Sequence, residues 1–122
     1  MSIVPTVVIS NTAHGAENGP YNGTDTTWYS TNYKGDGYYG YTDGLQTVSY
    51  KLTGFVGVIG MQATLAATPT ANDWFDIETT QVGNSTTPTT ISTYANFSGN
   101  FVWVRVAVTS FTAGTINRVL YN

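Results

Sequence analysis

GLQTVSYKLTGFVGVIGMQATLAATPTANDWFDI, residues 44–77, is the stretch that decides how this chain folds. Val48, Tyr50 and Leu52 alternate with polar residues, the pattern of a strand with one buried face. The alternation stops at Thr53-Gly54. A second apolar run covers residues 55–65. A polar loop with Pro69, Asn72 and Asp73 follows, then Trp74-Phe75-Asp76-Ile77. The expectation is strand, tight turn, strand, loop, strand, with residues 45–52 and 55–65 forming a hairpin.

The rest of the chain extends this pattern. In residues 101–109, Val102, Val104, Val106 and Val108 share one face, and Phe101, Trp103, Arg105 and Ala107 share the other. Residues 115–121 read as a closing strand, and 89–95 as a weaker one around Ile91. Residues 81–88 read as a polar loop. Residues 3–10 form a strand that Pro5 pushes toward an edge. Residues 26–31 form a short strand carrying Trp28. Apolar residues never recur at helical spacing over ten residues. The fold class is therefore all-β: a single antiparallel β-sandwich, jelly-roll or immunoglobulin-like, of about eight strands. The core is expected from Val48, Tyr50, Leu52, Phe55, Ile59, Met61, Phe75, Ile77, Val102, Val104, Val106 and Ile116. One domain spans residues 1–122, with 1–25 a partly extended N-terminal segment.

Composition excludes more than it assigns. There is no cysteine, so disulfides and thiolate metal sites are out. Charged residues make up 9% of the chain, against roughly 25% in ordinary soluble domains, and 22 threonines cover the difference. Only Lys34, Lys51, Arg105 and Arg118 are positive in a chain of net charge −3, so a nucleic-acid partner is not expected. No window approaches the roughly 20 apolar residues of a membrane helix, and the N-terminus lacks a secretory leader. Synthesis in the cytoplasm is the expectation. A weakly charged surface offers little repulsion between copies, which suits a protein that packs against others.

The candidate sites follow from residue types. Tyr29, Tyr33, Tyr38, Tyr39 and Tyr41 lie among glycines in residues 29–41. A subunit interface, a sugar-stacking platform, or rings covering an open end of the fold would each use them; the interface is favoured. Val7 and Ile9 are placed to add a strand to a neighbouring sheet. Trp28 and Trp74 are candidates for stacking on sugars. Arg105, beside Trp103, suits a cation over an aromatic ring. Asp76 and Glu78 share a strand face but fall short of the roughly six to eight oxygens calcium requires, so no metal is assigned. His14 is the lone histidine, without a nucleophile elbow or supporting carboxylate. No catalytic set is complete. The chain is expected to be no enzyme and to need no cofactor.

DGLQTVSYKLTGFVGVIGMQATLAATPTANDWFDI resembles the small β-sandwich module of tailed-bacteriophage virion proteins. There a strand, a Gly turn and a second strand lead through a polar loop into a Trp-Phe/Val-Asp-Ile/Leu strand. FSGNFVWVRVAVTSFTAGTI resembles that module's closing pair. KGDGYYGYTDGLQTV is similar to virion structural proteins of marine myoviruses that infect cyanobacteria. The resemblance covers residues 34–122. It implies a virion structural protein of accessory or decoration type, docked on the capsid or on the tail and baseplate. Its implied partners are other phage structural proteins and copies of itself. With Met1 at its start, the chain is expected to be free-standing, not an excerpt of a fibre. The alternative is a carbohydrate-binding module for host-surface attachment.

Overall fold

The computed structural model describes residues 6–39 and 44–122, without the side chains of Asp36 and Tyr39. It is all-β and antiparallel. The seven strands are β1 (Thr6–Ile9), β2 (Thr12–Ala13), β3 (Trp28–Tyr29), β4 (Tyr33–Lys34), β5 (Leu45–Thr64), β6 (Phe75–Ser98) and β7 (Trp103–Tyr121). One turn of 3₁₀ helix, Asp36–Tyr39, follows β4. All seven strands belong to one sheet of order β1-β7-β5-β6, and β2, β3 and β4 continue the β1 side along β7.

The all-β antiparallel class is as expected, but the expected strand boundaries need correction. Residues 45–52 and 55–65 are not a hairpin. They are two halves of one 20-residue strand, and each half pairs with both β6 and β7. Gly54, with φ +58°, makes a bulge there, not a reversal. The bulge shifts the inward side chains from even positions (Val48, Tyr50, Leu52) to odd ones (Phe55, Ile59, Met61). Residues 81–88 are likewise no loop: register shifts bend β6 there without ending it. The two expected strands around Thr109 and Thr115 are a single β7.

Bulges matter because a straight 24-residue strand would span about 80 Å. Instead, Phe75 and Phe97, near opposite ends of β6, both meet the Phe101 ring, at centroid distances of 5.7 and 6.3 Å. The connector after β6 clamps both ends of β5. The Gly99 N–H donates to the Gly44 carbonyl and the Val102 N–H to the Thr64 carbonyl, each at 3.0 Å. The sheet is thus bent double, and its two halves close on one core.

That core takes Val48, Leu52 and Val119 from one half and Met61, Ala63 and Val104 from the other. An aromatic group fills the bend: Phe111 meets Phe55 at 5.5 Å, Tyr21 at 5.1 Å and Trp28 at 6.2 Å. Of the expected core, Ile77 and Val102 are only partly buried, and Phe75 is the exposed exception. It faces inward from the β6 edge, where no further strand covers it, and stays 44% exposed. Tyr21, Phe97, Phe111 and Tyr121 join the core although the sequence pattern did not mark them.

Tyr50 is buried among these apolar groups, and its hydroxyl has no hydrogen-bond partner of good geometry. Burial raises its pKa above the ordinary phenol value, opposed by the nearby Thr80 hydroxyl. A raised folded-state pKa means this contribution is complete below about pH 10 and is lost as pH rises beyond it. Tyr50→Phe is expected to leave neutral-pH stability unchanged or up to about 1 kcal/mol higher, since no partner is orphaned. It should also flatten the alkaline decline. Urea unfolding from pH 7 to 11 checks both, and a loss of stability at pH 7 would show that the hydroxyl is bonded.

Candidate docking surface

The outer face of the sheet carries an ordered polar and aromatic cluster. Register sets it up: Arg105 on β7, Gln62 on β5 and Asp76 on β6 stand directly opposite one another across three strands. Asp76 Oδ1 accepts from Gln62 Nε2 at 2.8 Å, and Gln62 Oε1 accepts from Arg105 Nε at 2.9 Å. Asp76 thereby fixes the amide orientation of Gln62, and Gln62 fixes the plane of the guanidinium.

Two rings complete the arrangement. The Arg105 guanidinium lies over Tyr29 at 3.9 Å and over Trp74 at 4.3 Å from the ring centroids. Tyr29 arrives on β3 and Trp74 immediately precedes β6, so the cluster draws on four segments of the fold. Partial burial lowers the Arg105 pKa from its ordinary value, and Tyr29 opposes that shift. The guanidinium nevertheless stays cationic at neutral pH. Its Nε is held by Gln62, and among the described residues no carboxylate pairs with it. The chemistry on offer is a fixed cationic edge between two aromatic rings, on a surface with little other charge.

The other expected site residues scatter. Tyr33 is half-buried against the core from β4. Tyr38, on the 3₁₀ turn, is exposed, packs on Trp103 at 5.1 Å and receives Lys34 Nζ over its ring at 4.5 Å. Tyr41 lies outside the described residues, as does the Tyr39 side chain. The tyrosines therefore do not occupy one loop. Those among the described residues are distributed over β3, β4 and the 3₁₀ turn.

Two expectations need correction. Trp28 is only 4% exposed, stacked among Tyr21 and Phe111, so it cannot stack on a sugar. Ile9 is equally buried, and β1 pairs with β7 of its own chain, so residues 6–9 form an edge strand of this chain's own sheet and Ile9 lies in its core. The physical reason is the same for both: the free side of β7 needed a strand, and the N-terminal segment supplied it. Val7, on the opposite face of β1, remains half exposed. Trp74 keeps its place on the surface, half-buried under Arg105. Arg105, not the tyrosines, organises the surface. Its spacing from Gln62 and Asp76 became readable only once the strands were in register.

Among the described residues no group of three His, Cys, Asp or Glu side chains converges. None of their helices is long and apolar enough to cross a membrane. Comparisons with protein-family models, with curated proteins and with solved structures return no match to this chain.

Proposed function

We propose that this chain is a structural protein of a tailed-phage particle. In this reading it is an accessory β-module that docks on capsid or tail and baseplate proteins and on copies of itself, without catalysis. The virion setting rests on the sequence resemblance over residues 34–122. The docking role rests on one observation: Arg105 held between Tyr29 and Trp74, with no carboxylate paired to it among the described residues. Arg, Tyr and Trp are the residues that dominate protein interfaces. A guanidinium oriented in advance loses little freedom when it meets a partner's carboxylate.

Purified particles are expected to contain the protein, as mass spectrometry would show. Arg105→Ala should lower its incorporation by roughly tenfold or more, the scale of a truncated interface anchor. Particles that lack the protein would end the virion reading. Normal occupancy by Arg105→Ala would remove this surface from it. The carbohydrate reading loses Trp28, which is buried, and keeps Trp74 and the exposed Tyr29 and Tyr38 among the described residues. Arg105 already covers one face of Trp74 and of Tyr29, and Lys34 lies over Tyr38, which disfavours a row of free stacking platforms.

A further inference from the structure

Strand β6 is an outer edge of the sheet over 24 residues, and among the described residues it pairs only with β5. Proteins guard such edges with charges, prolines and bulges. Here every guard sits within residues 76–91. Asp76 and Glu78 are its only charged residues, Pro88 its only proline, and its register shifts fall within residues 77–91. Residues 89–98, TTISTYANFS, carry no charge and no proline, and from Ile91 to Ser98 they pair with β5 in unbroken register.

The bare segment also leaves apolar surface open. Ile91 stands opposite the buried Leu52 on the inward face, yet it is 40% exposed, because no strand lies beyond it. Ala95, on the same face, is only partly buried. Tyr94 stands exposed on the outer face. The segment lacks only a further strand.

We propose that residues 89–98 form a self-association edge, where a second copy of this chain pairs antiparallel about a two-fold axis. This names a surface for the self-docking in the function proposed above. Three features select a second copy as the occupant. An antiparallel edge is complementary to itself about a two-fold axis perpendicular to the sheet, so one segment serves both sides. The segment is neutral, so two copies meet without like charges opposed. An axis through either central residue, Thr93 or Tyr94, keeps inward side chains with inward ones. Through Thr93 it sets Ile91 of each copy against Ala95 of the other and covers both open positions.

The test uses the purified full chain in solution, apart from any particle. Wild type is expected to sediment as a dimer at micromolar concentrations. Ile91→Lys places a charge on the inward side of the edge, as guarded edges do. It should weaken the dimer at least tenfold with an unchanged circular dichroism spectrum. Single cysteines at Thr93 and Tyr94 provide a second measurement that does not depend on that variant folding. At least one should give a disulfide-linked dimer on mild oxidation, because the central residue faces its own copy. A wild-type monomer at all concentrations would overturn the proposal. So would a dimer that survives Ile91→Lys while neither cysteine cross-links. Absence from particles would leave this edge standing, and a monomer in solution would leave the Arg105 surface standing.

Discussion

Phe111→Ala is expected to be the most damaging truncation in this chain, lowering stability by about 3–5 kcal/mol in urea unfolding. Phe111 is fully buried at the bend of β7, just after Ser110, whose φ of +54° is unusual for a residue other than glycine. Its ring meets Phe55 from β5, Trp28 from β3 and Tyr21 from the segment between β2 and β3. Its backbone N–H donates to the Thr26 carbonyl at 2.9 Å. Truncation would leave a cavity among rings that the bent backbone holds apart, so collapse could not fill it. A domain of this size has a total stability of roughly 5–15 kcal/mol, so the variant should be marginal or unfolded at room temperature. A loss below about 1 kcal/mol would mean that the bend closes without this ring.

The second large effect is expected at Gly114, and the contrast with Gly54 makes it specific. The two glycines meet where β5 and β7 bend together, both with positive φ, +88° and +58°. A Cβ on Gly54 would meet nothing within 4 Å, so Gly54→Ala carries only the backbone penalty, about 1–2 kcal/mol. A Cβ on Gly114 would fall 2.1 Å from the Gly54 carbonyl oxygen, which belongs to backbone and cannot swing aside. Gly114→Ala adds overpacking to the same penalty and should lose roughly 2–6 kcal/mol. Chemical denaturation of the two variants side by side decides the matter. Equal losses would show that the strands separate easily at this corner.

These corners also explain what the sequence could tell. Period-two alternation in Val48-Tyr50-Leu52 and Val104-Val106-Val108 identified strands and their inward faces correctly, because burial of one face writes itself into composition. Thr53-Gly54 and residues 81–88 were misread as turns. A glycine with positive φ serves a reversal and a bulge equally well, and only the pairing partners distinguish them. Trp28 and Ile9 were assigned to the surface because their burial depends on docking against β7, far away in the sequence. The Arg105 cluster was legible only in part. An arginine amid strand residues suggested a ring partner, but Trp103, its neighbour, points to Ala67 and Tyr38 instead. The actual rings, Tyr29 and Trp74, are brought in by tertiary register.

Strand β7 has a consequence for how this molecule comes into being. It is the last of the seven strands to be synthesised, yet it lies inside the sheet, with β5 on one flank and the four N-terminal strands on the other. Thr6 pairs with Tyr121, and Tyr33 with Val104, so residues 6–34 have no place in the sheet until residues 103–121 exist. A nascent chain lacking β7 holds only the β5–β6 pair, with Trp28, Tyr21 and Ile9 still looking for the surface that will bury them. Contacts so distant along the chain are slow to form. Completion of the sheet therefore waits for the final strand, which joins the N-terminal strands to the β5–β6 pair.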